Sequence, residues 1–500
     1  MSWRERSATN RPQPEVTATG PDRAGVGRRV FTEQMATATL AREQRLVIWI
    51  AILASFVSFL DGSVINVALP AIARELGGGL TTQQWAVDAY LITLGSLILL
   101  AGSLSDILGR VVILRIGLIG FGVASLLCAA APNPEILIVA RALQGVAGAL
   151  LVPSSLALIT STFSGMARAK AIGQWTAGTT IAFVAGPILG GVIVDVVGWR
   201  WVFVINVIPI AITLYQLAIL RHKDVREEGV RVDILGAALC VIGLGGPVYA
   251  LIEQGYYGWG SPMILVPFIV GIVSFVGFVV RQRYAKQPLM PLSLFGVRNF
   301  AVGNVSTFFI YGALSLGGFI IVVFLQQVAG WRATYAALAT LPLSLLNIGL
   351  SSWFGMLSGR YGARWFMGFG PIIAGAGFLL MLSSTAGMNQ STYWYELFPG
   401  VILFGLGLSA TVAPLTAAIL GAISEQQSGI GSAVNNAVSR VAGLISIAVV
   451  GLIVGAKLDV DGFHRVLIVT AVLLTIGGVV SVIGIQNVRH PKTQPVEVPN

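Results

Sequence analysis

Fourteen runs of mostly apolar residues fill this 500-residue chain. Each is close to the roughly 20 residues that a helix needs to cross a hydrocarbon core. They begin near Leu46, Gln84, Val112, Ile136, Ala171, Trp201, Val232, Met263, Ala301, Thr334, Trp365, Trp394, Val434 and Val466. Lipid cannot satisfy backbone polar groups, so runs of this length are read as helices. Charged residues make up 10% of the chain and mean hydropathy is +0.84. The expected fold class is an all-α polytopic membrane protein with 14 transmembrane helices.

The net charge of +10 is a matter of topology. With the amino terminus inside, 24 Lys/Arg fall on cytoplasmic segments and 5 on external loops, while Arg141 and Arg440 lie within spans. That asymmetry is the positive-inside rule. It places both termini in the cytoplasm, in the cell (cytoplasmic/inner) membrane, and gives no reason to invoke nucleic acid. Residues 1–45 carry eight arginines among Pro, Thr and Ser, with no apolar signal-peptide core. They are expected to form a disordered cytoplasmic tail.

Several chemistries lack the residues they need. Cys128 and Cys240 lie in apolar runs without metal-ligand spacing, and His222, His464 and His490 are placed in loops or the tail. No metal site, enzyme nucleophile or cofactor motif is apparent. The absence of G-x-x-x-x-G-K-[ST] argues against an ATP-driven pump. A proton gradient is the expected energy source.

The charged turn GSLSDILGR, Gly102 to Arg110, has a fainter copy, GMLSGRYGA, at Gly355 to Ala363, an offset of 253 residues. A turn repeated at half the chain length indicates internal duplication. Aligning the copies pairs span 2 with span 10 and leaves spans 7 and 8 as an insertion. The expected plan is a tail (1–45), a six-helix bundle (46–220), a charged linker (221–233), two inserted helices (234–283), a linker (284–299), a second six-helix bundle (300–486) and a tail (487–500). A weaker echo joins IGQWTAGTTIAFVAG at Ile172 to IGSAVNNAVSRVAG at Ile430.

Few residues in the spans can carry chemistry. Asp61 lies deep in span 1, where an ionised, unpaired carboxylate is costly. Such a group can take up and release a proton as its exposure changes. Asp88 near the start of span 2 is a second candidate for proton transfer or cation recognition, with Trp85 on the same helix face. Arg141 in span 4 cannot lose its proton and is expected to bias a nearby carboxylate or hold a polar network. Arg440 in span 13, one turn from Asn435 and Asn436, is read as a structural hydrogen-bonding residue. In the charged turn, Asp106 is expected on the amino end of another helix and Arg110 opposite an acid, locking the cytoplasmic side. Span 5 carries Gly178, Ala182, Gly186 and Gly190 at four-residue spacing, with Pro187 and Gly191. Such a stripe lets a neighbouring helix approach closely. Trp85, Tyr311, Asn435 and Asn436 are candidates for lining a substrate cavity. Glu253 is expected at the external surface.

These residues resemble the major facilitator superfamily, and more narrowly its fourteen-spanner drug:proton antiporter family of the EmrB/QacA type. LDGSVINVALP is similar to the family's span 1 motif, GSLSDILGR to the superfamily's turn motif, RALQGVAGA to the span 4 motif, GPILGG to the span 5 antiporter motif and WRWVFVINVIP to the span 6 opening. The resemblance runs from about Arg45 to Asn487. It implies two six-helix bundles with two inserted helices, and proton-driven export of hydrophobic or amphipathic small molecules by alternating access. It assigns proton coupling to Asp61 and Arg141 and the cytoplasmic gate to Gly102, Asp106, Gly109 and Arg110. An acid at the Asp88 position occurs in members that handle cations. The turn departs from the family where Ile107, Val111 and Val112 replace basic residues. Its second copy has Gly359 and Ala363 where the first has Asp106 and Arg110, so the gate's charge is expected in the first half. Export of a lipid or an endogenous secondary metabolite is the alternative on the same fold, and a sensor without flux a third reading.

Overall fold

The computed structural model describes residues 23–220, 224, 232–424, 427–455 and 457–487, with side chains from residue 42 onwards. Residues 1–45 form a unit separate from 46–500. Of the expected tail, residues 1–22 lie outside the described residues, and the backbone is helical from Arg23. His222, His490 and most of the 221–233 linker also lie outside them, as do residues 488–500 of the last tail.

Fourteen helices are long and apolar enough to cross a membrane, the number expected. They are α1 (Arg42–Leu76, the spanning part of a helix that starts at Arg23), α2 (Gly79–Leu108), α3 (Arg110–Ala130), α4 (Pro134–Thr162), α5 (Gly165–Val196), α6 (Trp201–Ile219) and α7 (Ile234–Tyr257). There follow α8 (Pro262–Tyr284), α9 (Arg298–Gln327), α10 (Ala333–Tyr361), α11 (Ala363–Ser383), α12 (Phe398–Leu420), α13 (Ser428–Val454) and α14 (Val460–Gly484).

Local sequence sets many of the helix ends. Asn133 accepts the Ile136 amide at 3.0 Å ahead of Pro134, and Asp233 and Asp459 accept from Gly236 and Gly462 at 2.9 and 2.7 Å. Each satisfies an amide that the first helical turn leaves unpaired. Span 12 starts four residues later than its apolar run suggested. A separate short helix, Tyr393–Glu396, precedes it, because the Glu396 carboxylate turns back to accept the Thr385 amide at 2.8 Å. His464, expected in a loop, stands in the first turns of α14, with Nε2 3.0 Å from the Ser384 carbonyl.

The halves pack alike. In the first, α2 and α3 both lie against α4, and α3 against α6; in the second, α10 and α11 lie against α12, and α11 against α14. Helix n of the first half therefore corresponds to helix n + 8 of the second. Two seams join the bundles, α5 against α10 and α2 against α13. Under this correspondence they are the same contact made twice.

The inserted pair breaks that symmetry. Helices α7 and α8 pack on each other, and α7 lies against α2 and α13. Ile92, Cys240, Leu244, Val248, Phe278 and Leu444 share one apolar cluster there. The insertion thus covers the α2/α13 seam. The apolar faces of α7 and α2 close that side. The described part of α1 begins, and α14 ends, on one face of the bundles, called here the terminal face; the other is the distal face.

Candidate functional site

At the middle of α1, Asp61 is sealed from the surface, 1% exposed, as is Arg141 of α4 at 0%. Arg141 Nη1 donates to Asp61 Oδ2 at 2.6 Å. Two amides complete the carboxylate's shell: Gln144 Nε2 donates to Oδ1 at 2.8 Å and Asn206 Nδ2 to the same oxygen at 3.0 Å. Arg141 Nε donates to the Ala86 carbonyl at 2.7 Å, and Nη1 also to Gln144 Oε1 at 2.6 Å. Its guanidinium lies 4.4 Å from the Tyr90 ring centroid, a cation–π distance. Gln144 is held in turn by its bond to Ser125 Oγ at 2.9 Å.

The sequence spacing brings these groups together. Arg141 and Gln144 are three residues apart, so one helix face presents both to α1. Asn206 stands where span 6 breaks between Val204 and Val207, which aims its side chain inward. Gln144 and Asn206 were not picked out from sequence, although each is a polar residue inside a recognised motif. A buried carboxylate with three donors is stable as an anion only while those donors surround it. Proton uptake would release Arg141, so protonation and local packing are linked.

Asp88 is fully buried on α2, and neither of its oxygens has a hydrogen-bond partner among the described residues. It lies one turn from Gln84, whose Nε2 donates to the Ile447 and Ala448 carbonyls of α13 at 2.7 and 3.0 Å. Trp85, a candidate cavity residue, turns elsewhere. Its Nε1 donates to Glu253 Oε1 of α7 at 2.7 Å, because the inserted helix brings a carboxylate to that face. Asn435 is likewise occupied within its own bundle, donating to Asn304 Oδ1 and Thr307 Oγ1 of α9 at 3.2 and 2.8 Å. Asn436 Oδ1 accepts from Arg440 Nε at 3.4 Å. Tyr311 is partly buried on α9 within electrostatic range of Arg440.

The gate motif is built differently from the expectation. The turn is Gly109 alone, at φ 103°, between the end of α2 and the start of α3. Asp106 and Arg110 pair with each other at 3.5 Å, one turn apart, and Asp106 is half exposed. Asp106 does not sit on a helix end; Asp224, from the linker after α6, takes that place. Its carboxylate accepts the Val111 and Val112 amides at 3.1 and 3.4 Å, completing the α3 terminus and matching its dipole. Asp106 lies in the last turn of α2, whose direction points it away from that terminus. Gly102 lies one turn before it and meets no neighbour. The second half repeats the device: Gly362, at φ 93°, makes the turn, and Asn487 after α14 accepts the Arg364 amide at 3.1 Å. The capping side chain is charged in the first half and neutral in the second. Replacing Asp224 with Ala is expected to cost about 1 kcal/mol of local stability. Hydrogen exchange should accordingly quicken about five-fold at Val111 and Val112, whereas Asp106→Asn should leave it nearly unchanged.

The small residues of span 5 divide between two neighbours. A side chain at Gly178 would meet Ile52, one at Gly186 would meet Ser63, and one at Gly190 would lie 3.1 Å from Val64, all on α1. The Ala182 carbonyl accepts from Ser63 Oγ at 3.1 Å, and Pro187 interrupts the α5 hydrogen-bond ladder between them. Gly191 faces the other bundle, where a Cβ would come within 2.8 Å of the Thr334 Cα. One turn beyond, Asp195 accepts the Ala333 and Thr334 amides at 3.2 and 2.9 Å and the Thr334 hydroxyl at 2.6 Å. Gln326 Nε2 of α9 donates to the Val67 carbonyl of α1 at 3.0 Å. Together with Gln84 these contacts close the bundles at the distal face. Toward the terminal face, α5 from Gly165 to Lys170 and α10 from Ser352 to Tyr361 are mostly exposed.

Two pseudo-repeated bundles of membrane-length helices, joined at one face and with a sealed ion pair inside the first, have the architecture of a membrane transporter. Comparison with known proteins identifies the family. Residues 51–303 match the model described as Major Facilitator Superfamily. The chain is 33% identical over 396 residues to the methylenomycin A resistance protein of Bacillus subtilis, covering 79% of this chain and 84% of that one. It is 32% identical over 423 residues to the multidrug resistance protein Stp of Mycobacterium tuberculosis, covering 84% and 77%. In fold it resembles a solved peptide transporter at a TM-score of 0.65 and 14% identity, over 88% of this chain and 94% of that one. The chain belongs to the Major Facilitator Superfamily.

Proposed function

We propose that this protein is a proton-coupled exporter of hydrophobic or amphipathic small molecules, working by alternating access with its terminal face in the cytoplasm. The Asp61–Arg141 pair carries the reading, since it is a carboxylate whose protonation must rearrange a buried network. The drug-resistance functions named for the Bacillus and Mycobacterium relatives support export as its direction. In the cycle, Asp61 takes a proton from the distal side when the bundles part there, and releases it to the terminal side when Arg141 and the two amides close on it. Asp88 is a second proton carrier. Its place beside the Gln84 contact means that a shift of α2 along α13 at the distal face uncovers it. Gly191 and Asp195 form the distal closure that must yield, and Gly109 with Arg110 the terminal one.

The test is export in proteoliposomes with an imposed pH gradient, using a fluorescent amphiphile and an internal pH dye. Gradient-driven dye movement with opposite proton flow is expected; dye movement indifferent to the gradient would sink the coupling. A lipid or endogenous metabolite as cargo is favoured by one observation, the exposure of α5 from Gly165 to Lys170 and of most of α10 from Ser352 to Tyr361. Lipid analysis of a deletion strain beside drug sensitivity separates the two cargoes.

A further inference from the structure

Four ionisable side chains lie in the middle of the described spans: Asp61, Asp88, Arg141 and Arg440. Three of them are sealed, Asp61 and Arg141 against each other and Asp88 with nothing bound to its oxygens. Arg440 is different. It is partly exposed, and among the described residues its only hydrogen bond is the 3.4 Å contact from Nε to Asn436 and no carboxylate lies within 4 Å of it. Its terminal nitrogens are neither paired nor sealed among the described residues.

Arg440 stands on the α2/α13 seam. A Cβ on Gly95 of α2 would lie 3.3 Å from the Arg440 Cβ, so Arg440 faces the first bundle across the seam. Tyr90 of α2 and Tyr311 of α9 lie within electrostatic range of it. A guanidinium keeps its charge in any protein environment. At mid-membrane it is costly without a counter-charge, and among the described residues no carboxylate pairs with it.

We propose that Arg440 is the recognition residue for an acidic amphiphile, with the ligand's carboxylate, sulfonate or phenolate as the missing counter-charge and Tyr311 and Asn436 beside it. The inference rests on the export reading and gives its substrate class. A carboxylate or sulfonate can set two of its oxygens against the fork of a guanidinium, which an ammonium cannot reproduce. The charge that a cargo meets between the bundles is thus positive, whereas Asp88 would have favoured cations.

The experiment measures binding to the purified protein in nanodiscs, with empty nanodiscs subtracted. The probes are 8-anilinonaphthalene-1-sulfonate, its sulfonate-free parent N-phenyl-1-naphthylamine, and tetraphenylphosphonium. The sulfonate should bind at least about ten-fold more tightly than its parent. Arg440→Gln should remove that preference and leave the parent within about two-fold, while Arg440→Lys keeps part of it. Sulfonate binding unchanged in Arg440→Gln overturns the proposal, as does equal loss of both dyes, which would make Arg440 a packing residue. Tetraphenylphosphonium binding more tightly than the sulfonate to the unmodified protein also overturns it, with no variant needed. Proton-linked export of the parent dye without any sulfonate preference would sink this inference and leave the export reading intact. No proton-linked movement of any probe would sink the export reading itself.

Discussion

Asp61→Asn is expected to reduce proton-linked exchange by about 100-fold or more, with a loss of stability as well because Arg141 is left without its counter-charge. The asparagine keeps the shape of the carboxyl, and its one oxygen still accepts from Arg141 or from the Gln144 and Asn206 amides, though not from all three. What it loses is the ability to switch between a charged and a neutral form. A loss of about 2.7 kcal/mol in the coupling step corresponds to 100-fold. The measurement is internal pH beside dye efflux in proteoliposomes. Retention of full exchange would move the coupling role to Asp88, where Asp88→Asn should then abolish it.

Arg141→Met is expected to destabilise the first bundle by about 3–5 kcal/mol, the usual cost of stranding one member of a buried ion pair. Met fills much of the arginine's volume, so little of this cost is a cavity. It arises because the Asp61 carboxylate loses a 2.6 Å charged bond in a site that is 1% exposed. The double variant Asp61→Asn/Arg141→Met should recover more than half of that loss, because no charge is left uncompensated. Thermal unfolding of the four proteins of this double-mutant cycle gives the coupling directly. An additive cycle would show that the pair contributes nothing beyond its separate contacts.

Sequence legibility differed between fold and site for a physical reason. Spans are long, and lipid forces each to satisfy its own backbone, so hydropathy alone located the helices of both bundles and the inserted pair. The resemblance paired Asp61 with Arg141, and the structure brings them into contact. The remaining partners come from elements far apart in sequence. Asn206 reaches Asp61 through a break in α6, and Asp224 reaches the α3 terminus across 113 residues. A motif shows which residues recur together, but a capping carboxylate can arrive from any segment that ends nearby. This is why Asp106 was given the place that Asp224 holds. The partners of Trp85 and Asn435 were not legible for a related reason. A polar or aromatic residue facing between helices has several possible partners, and only the packing of α7 and α9 selects Glu253 for one and Thr307 for the other.

The placement of α7 has a mechanical consequence. A rocking pair of bundles with two equivalent seams would have two equivalent free edges. Here α7 spans α2 and α13 like a gusset across a joint, with Leu444 and Ile92 buried against the same apolar strip. Movement on that flank must be a sliding of packed surfaces, while the α5/α10 flank is free to gape. The molecule is therefore handed: its stroke pivots on one edge, and cargo that enters from the leaflet has a single side on which to arrive.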